Sequence, residues 1–311
     1  MKVPFTLRDG SHFEIAGGSI TGTSHIKNFR NNQDAFTWDW VEVDNPAFVA
    51  VIADGCTNKG YGASEVGANL AVEAITLSLL SKLKDNPFSL HPAGTKFWGQ
   101  IQKINEQVLK KHTNYMGRTL ISAIKKYALY TINGVMITKD LVIFFSIGDG
   151  VYALNGEVKT FGEEYQNKPP YLAYNLIKNQ VSFSKKELGF SLNKYVVLDT
   201  VSGKEPDQFD SFMIGSDGVI DLIKAKDALI PGTNNPVGEI SQFWTDDQYF
   251  DQKFALQTKL KLINRETQKP ILDKMDGEPY ARIEKSPGLL PDDTTIIVGR
   301  KIKSDTKPSK L

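Results

Sequence analysis

Apolar positions along this chain follow two rhythms. Short runs rich in β-branched and aromatic residues, bounded by Gly, Pro, Asn or Asp, read as strands. They cover 41–43 and 48–53 around an Asp44-Asn45-Pro46 breaker, and 130–138 with 141–147 as a hairpin about Lys139-Asp140. Residues 151–154 and 158–161 form another hairpin about Asn155-Gly156, a pair suited to the positive φ of a two-residue turn. Further strands are expected over 195–199, 211–214 and 294–298.

Elsewhere the apolar residues recur every three or four positions. Ser64 can cap a helix whose Val66, Leu70, Ala74 and Leu77 make one stripe, ending before Pro87. Phe97, Ile101, Ile104 and Val108 mark a second helix, with Lys110 and Lys111 near its C-terminal end. Residues 120–128, 219–224, 237–243 and 250–262 also read as helical, and the charged segment 242–288 as surface helices rather than a separate cap. Such stripes are core faces. Many antiparallel hairpins with helices gathered in two blocks indicate α+β layers, not a parallel doubly wound sheet. Neither a Pro/Gly/Ser linker nor an internal repeat divides the chain, so residues 1–300 are expected to form one domain followed by a polar tail over 301–311.

Chemistry enters where the strands end. Three of the runs stop at Asp-Gly, namely AFVAVIADG (47–55), LVIFFSIGDG (141–150) and SFMIGSDG (211–218), and a fourth, DDTTIIVG (292–299), is preceded by two acids. Asp34, in NNQDA, adds another acid just before an apolar, aromatic stretch. A single Asp-Gly is an ordinary hairpin signal, and Asp9-Gly10 and Asp276-Gly277, in polar surroundings, read as plain turns. Carboxylates delivered repeatedly from buried strand ends point elsewhere. Mg²⁺ and Mn²⁺ are hard cations that take carboxylate, carbonyl and water oxygens, and strand ends hold such ligands rigidly.

Other chemistries find little support. The histidines His12, His25, His91 and His112 lack metal-ligand spacing, although His25, in SHIKNFRNNQDA, could donate a proton near an acidic site. The glycine-rich GCTNKGYGAS (55–64) has neither Walker nor Rossmann spacing. One cysteine, Cys56, excludes an internal disulfide, favours a reducing compartment, and reads as a small buried residue in the site wall. A chain of 311 residues that is 41% hydrophobic can bury a large core, and a net charge of +1 gives no electrostatic case for nucleic acid or an anionic membrane. With neither a basic-then-apolar leader nor an apolar run of about 18 residues, a cytoplasmic monomer free of membrane is expected.

The ordered set NQD, ADG, GDG, SDG, DDTT resembles the metal-dependent Ser/Thr phosphatases of the protein phosphatase 2C type, in particular their divergent bacterial branch, over about residues 21–299. The resemblance implies an α/β/β/α sandwich of two antiparallel sheets flanked by helices, two or three Mn²⁺ or Mg²⁺ ions, and a phosphorylated protein as substrate. Carried over by position, the metal ligands are Asp34, Asp54, Gly55 through its carbonyl, Asp149, Asp217 and Asp292. Asp34, Asp54, Asp217 and Asp292 are the catalytic set, with Asp54 bridging, Asp34 orienting water, and Asp149 with Asp217 holding a weaker third ion. Asp293 is expected to accept hydrogen bonds rather than to ligate. Arg30, four residues before Asp34 where eukaryotic members have it five before, is the phosphate-binding candidate, with Lys27 its rival. Departures are Gln33 for the usual Glu, Cys-Thr for His-Gly after Asp54-Gly55, and GDG for GDSR.

The charge argument agrees. A phosphomonoester dianion repels hydroxide, and an acidic pocket worsens the repulsion unless cations reverse its sign; a pair of cations activating one water also removes the need for a protein nucleophile. Two other readings stand beside the protein phosphatase: a catalytically inactive module of the same fold that recognises a phosphorylated or signalling partner, and a phosphatase of small phosphoesters.

Overall fold

The structure, a computed structural model, describes residues 7, 10–42, 46–56, 62–85, 103–104, 106–111, 114, 119–138, 142–162, 171–176, 199–204, 210–275 and 278–302. Its strands are β1 (His12–Ile20), β2 (Ala35–Val41), β3 (Ala47–Ala53), β4 (Ile132–Thr138), β5 (Val142–Ile147), β6 (Gly150–Leu154), β7 (Glu157–Phe161), β8 (Asp199–Lys204), β9 (Ser211–Gly215), β10 (Thr267–Met275), β11 (Glu278–Ser286) and β12 (Thr294–Ile302). Among the described residues they form two five-stranded sheets, ordered β1-β12-β9-β6-β7 and β2-β3-β4-β5-β8, and β10-β11 stand as a separate two-stranded sheet. Every pairing is antiparallel.

Burial explains why the central strands read as unbroken apolar runs. In β3, Ala47, Val49, Val51 and Ala53 join a cluster with the helices on one side, while Phe48, Ala50 and Ile52 join residues of the facing sheet. Both faces are dry, so the usual alternation of apolar and polar residues disappears. Between the sheets Phe13, Phe48, Phe144 and Phe212 interlock, Phe13 meeting Phe48 edge-on at 5.3 Å between centroids.

Helices bounded within the described residues are α1 (Thr23–Lys27), α2 (Ser64–Asp85), α3 (Leu120–Tyr127), α4 (Gly218–Lys224), α5 (Gln242–Thr245), α6 (Gln248–Asp251) and α7 (Ala255–Ile263). Residues of α2 and α3 pack on the outer face of the second sheet, and those of α4 to α7 on the outer face of the first. The four layers are therefore helix, sheet, sheet, helix, the α/β/β/α arrangement. Thr119 caps α3 by accepting from the Ser122 N–H at 3.3 Å.

Several expectations need correction. The stripe Val66, Leu70, Leu77 of α2 is exposed, and the buried face is Ala68, Ala71, Val72, Ile75, Leu79, Leu80 and Leu83. This helix is apolar on most sides: its length and mean hydropathy of 1.3 would suit a membrane span, yet half of its apolar stretch is buried on the sheet as a core helix. The strand placed at 41–43 runs instead over Ala35–Val41, and β1 was not anticipated. The helix expected over 237–243 is only the short Gln242–Thr245, and 250–262 breaks into α6 and α7. Surface helices over 242–288 give way after Ile263 to the β10–β11 hairpin. Of the expected 97–108 helix, residues 103–104 and 106–108 are described and helical, and 195–198 lie outside the described residues, strand β8 starting at Asp199. Strand β12 extends to Ile302, two residues into the expected tail, the rest of which lies outside the described residues.

The antiparallel register sets the position of the acids. Ala35 pairs with Ala53, Ile52 with Asn133, and Ile132 with Ile147; in the other sheet Ile20 pairs with Thr294 and Gly215 with both Ile296 and Val151. The start of β2, end of β3, start of β4, end of β5, start of β6, end of β9 and start of β12 therefore share one end of the sandwich. At that end the aromatic filling gives way to the buried polar side chains Asn133, Ser146, Ser216 and Thr295.

Candidate metal centre

A cavity of about 260 Å³ opens at this end, lined by His25, Arg30, Gln33, Asp54, Gly55, Cys56, Thr131, Asp149, Tyr171, Asp217 and Asp292. Five of the six expected ligands are thus on its wall. Asp34 is not: it lies behind the wall, buried, with Oδ2 accepting from Ser216 Oγ at 2.7 Å and Oδ1 without a partner. Lys27 is also off the wall, its charge felt instead by Glu266 at the root of the β10–β11 hairpin, whereas Arg30 is on it.

Each acid is fixed by local backbone. Asp54 and Gly55 leave β3 in tight contact with the Gln33 and Thr131 segments: the Gly55 N–H donates to the Gln33 carbonyl at 3.2 Å and the Thr131 N–H to the Asp54 carbonyl at 2.8 Å. A Cβ on Gly55 would lie 2.7 Å from the Gln33 carbonyl oxygen, so this position admits only glycine. Asp149 occupies a corner between Gly148 at φ 106° and Gly150 at φ 152°, both in the region that favours glycine. The Asn133 amide holds that corner, donating to the Asp149 carbonyl at 2.9 Å and, at 3.5 Å, to the Gly215 carbonyl, while Ser146 Oγ donates to Asn133 Oδ1 at 2.6 Å. Asn133 therefore ties the corner carrying Asp149 to the strand end carrying Asp217.

Asp292 and Asp293 diverge in use. Asp293 is buried and both its oxygens are taken: Oδ1 accepts from the Gly22 N–H at 2.7 Å, and Oδ2 from the Gln33 N–H at 2.6 Å, with His25 Nδ1 at 2.8 Å. It joins the end of β1, helix α1, the approach to β2 and the start of β12, as a hydrogen-bond acceptor should. Asp292 keeps its carboxylate on the cavity wall, its Oδ1 accepting the neighbouring Asp293 N–H at 2.9 Å.

Electrostatics shows what the cluster lacks. Burial, and then the charges of Asp34, Asp217, Asp292 and Asp149, push the Asp54 carboxyl well above the usual carboxylate range. Burial followed by Asp293 raises Asp34 to about 8, and burial followed by Asp292 and Asp149 raises Asp217 to about 6. Asp149 and Asp292 are raised for the same leading reason. Buried carboxylates that hinder one another's ionisation need positive charge. The donor set is all oxygen, and three buried polar atoms around it have no partner: Asp34 Oδ1, Thr131 Oγ1 and Ser64 Oγ, the last beside Gly55. Hard divalent cations with coordinated water fit this set, whereas a soft metal would want several thiolate or imidazole ligands and the wall offers one of each, His25 and Cys56, the latter exposed where a buried residue was expected.

Sequence reasoning missed Thr131 and Tyr171 on the wall, and Ser216 and Asn133 behind it. Thr131 and Asn133 sit inside an apolar strand where nothing marks them, but Ser216 was visible as the first residue of SDG.

A helix–sheet–sheet–helix sandwich with an acidic cavity at one end of its inner layer defines the protein phosphatase 2C class of fold. The family profile described as Protein phosphatase 2C matches residues 21–246, and the chain belongs to that family. No curated protein matches the sequence significantly. Among solved structures, the Ser/Thr phosphatase Stp1 from Staphylococcus aureus is 16% identical, with 96% of this chain and 98% of that one covered and a TM-score of 0.48. PstP/Ppp of Mycobacterium tuberculosis is 12% identical, covering 93% and 98%, with a TM-score of 0.43. PppA of Pseudomonas aeruginosa is 15% identical over the same shares, at 0.40. At these TM-scores the family assignment rests on the profile match.

Proposed function

We propose that this chain hydrolyses phosphoserine and phosphothreonine in proteins, using Mn²⁺ or Mg²⁺ held by Asp54, the Gly55 carbonyl, Asp217 and Asp292, with Asp149 completing a weaker site. Membership of the family supports a metal-dependent phosphatase in general; one observation carries the reading for this chain. Four carboxylates from four separate strand ends, Asp54, Asp149, Asp217 and Asp292, line one cavity with the buried Asp34 behind its wall, and all five are raised, first by loss of solvent and then by neighbouring carboxylates. Bound cations would supply charge reversal towards a phosphate dianion and a water acidic enough to attack at neutral pH.

The protein's own groups do the rest. Arg30 and His25 on the cavity wall present positive charge to the phosphoryl oxygens, Arg30 unconditionally and His25 when protonated. The hydrogen bond to Asp293 raises the His25 pKa and occupies Nδ1, so Nε2 is the ring nitrogen left to give a proton to the departing seryl or threonyl oxygen. Asp34, held by Ser216 behind the wall, keeps one unpartnered oxygen, and its part would be to orient water bound in the cavity.

The test is hydrolysis of p-nitrophenyl phosphate and of a phosphothreonine peptide while Mn²⁺ is titrated. Turnover of both that rises with the ion and is lost in Asp54→Asn is the expected result. Metal binding without turnover would leave an inactive module of this fold, and turnover of p-nitrophenyl phosphate alone would leave a phosphatase of small phosphoesters.

A further inference from the structure

Strand β1 stands at the end of its sheet among the described residues, with β12 on one side. Backbone groups that point away from β12 need a partner other than that strand. At Ser19 a side chain supplies it: Gln257 of α7 accepts the Ser19 N–H on Oε1 at 2.7 Å and donates through Nε2 to the Ser19 carbonyl. A primary amide carries the donor and the acceptor of a peptide group, so Gln257 closes the edge there as one residue of a further strand would. The two backbones come close because residue 18 is glycine: a Cβ on Gly18 would lie 2.9 Å from the Gln257 Cα.

The hydroxyl of the residue so fixed leads to the metal centre. Ser19 Oγ accepts from Asn32 Nδ2 at 2.7 Å and shares a hydrogen bond of 2.6 Å with Thr295 Oγ1, Thr295 being its partner in the β1–β12 register. Both neighbours go on to Asp34. Asn32 Oδ1 accepts the Asp34 N–H at 3.0 Å. The Thr295 N–H donates to Ser216 Oγ at 3.0 Å, and the Ser216 hydroxyl donates to Asp34 Oδ2 at 2.7 Å. Asp34 is therefore held at its backbone and at its carboxylate by two routes that meet at Ser19. A group that orients a reacting water has to be fixed to within about 0.5 Å by residues whose own rotamers are locked. Gln257 stands off the cavity wall, and both it and Ser19 lie outside the matched residues 21–246, so their bearing on the site passes through this chain of hydrogen bonds.

We propose that Gln257 and Ser19 form a positioning pair for the metal centre: Gln257 fixes the end of β1, and Ser19 passes that constraint through Asn32 and Thr295 to Asp34. This inference rests on the phosphatase reading, in which Asp34 orients the attacking water. Neither residue of the pair touches substrate or a reacting atom. Loss of either should slow the chemical step and leave the affinities for substrate and cation as they are.

Gln257→Met tests it, since Met keeps the length and helix-forming character of Gln and removes both bonds. Ser19→Ala removes only the hydroxyl, and the two changes are also combined. Ile263→Val, which trims the buried side of α7 and touches neither bond, reports what a mere loss of stability does. For p-nitrophenyl phosphate at saturating Mn²⁺, kcat should fall at least ~5-fold in each single variant with KM unchanged, and the double variant should be no slower than the slower single one. Ile263→Val should lower Tm and keep the wild-type kcat. Hydrogen exchange at the Asp34 N–H should quicken at least ~5-fold in Gln257→Met, while the Thr131 N–H, bonded to the Asp54 carbonyl, exchanges as in wild type. A wild-type kcat in either single variant, losses that multiply in the double variant, or an equal loss of kcat in Ile263→Val overturns the proposal. If wild type hydrolyses nothing at any Mn²⁺ concentration, the phosphatase reading falls instead. Exchange at the Asp34 N–H then decides for the pair, and a wild-type rate in Gln257→Met overturns it.

Discussion

Asp149 is the acid whose role is most open to test, because a Gly-Asp-Gly corner can exist for its turn alone. Asn-Gly makes the same turn as Asp-Gly, and the carbonyl that Asn133 holds is backbone. Asp149→Asn therefore keeps the corner and removes only the charge. If the carboxylate helps hold a weak third cation, the change should lower kcat at low Mn²⁺ by at least ~10-fold, about 1.4 kcal/mol in the barrier, and leave the metal-induced rise in Tm intact. Wild-type kcat in this variant would return Asp149 to a structural role. Asn133→Ala should act on the same corner from behind: it removes the amide donor to two carbonyls and leaves the Ser146 hydroxyl only the Gly148 carbonyl at 3.4 Å, at about 1–3 kcal/mol of stability measurable by urea unfolding. The acids were legible at this scale because each interrupts an apolar run. Their holders were not, since Asn133 lies inside such a run and its partners are distant in sequence.

At the scale of elements, legibility followed burial. β3, β5 and β9 were readable because both faces are covered, leaving apolar residues with one serine each in β5 and β9 between punctuating glycines and aspartates. β1 was hidden by Gly17-Gly18, which weaken any strand signal; Gly17 is there because the Trp38 ring lies 2.7 Å from where its Cβ would be. The face of α2 could not be chosen, because a helix apolar on most sides has no single stripe, and β10–β11 carry charge at alternate positions like a surface helix. Gly218 sharpens the point for helix α4. Glycine to alanine inside a helix usually stabilises by about 1 kcal/mol, but a Cβ at Gly218 would meet the Asp293 carbonyl at 2.1 Å. Overpacking against backbone should win: Gly218→Ala is expected to destabilise by about 1–3 kcal/mol and to reduce activity by displacing Asp217, with a neutral or positive shift in unfolding midpoint counting against this account.

For the whole molecule, the acidic cavity links stability to pH and to cations. Asp217 and Asp34 have native pKa values raised from 3.8 to about 6 and about 8. The native state thus holds protons the unfolded chain gives up, so their contribution is complete below pH 4 and is lost as pH rises through 6 and then 8. For Asp217 alone the loss is on the order of 3 kcal/mol by pH 8. In EDTA, Tm should fall between pH 6 and 8.5 more steeply for wild type than for Asp34→Asn with Asp217→Asn. Millimolar Mn²⁺ should remove that excess fall by supplying the charge the protons gave up. A Tm indifferent to the ion across this range would contradict a shared cation site. The same centre depends on pairing between β1 and β12, and on bonds from Asp293 to Gly22 and Gln33 that span 271 and 260 positions of sequence. Closing such separations is slow and comes late. On the ribosome, then, the acids after β3, β5 and β9 emerge long before the segment that completes their cavity, and a chain stalled or clipped ahead of Asp292 carries most of the ligands but no finished centre.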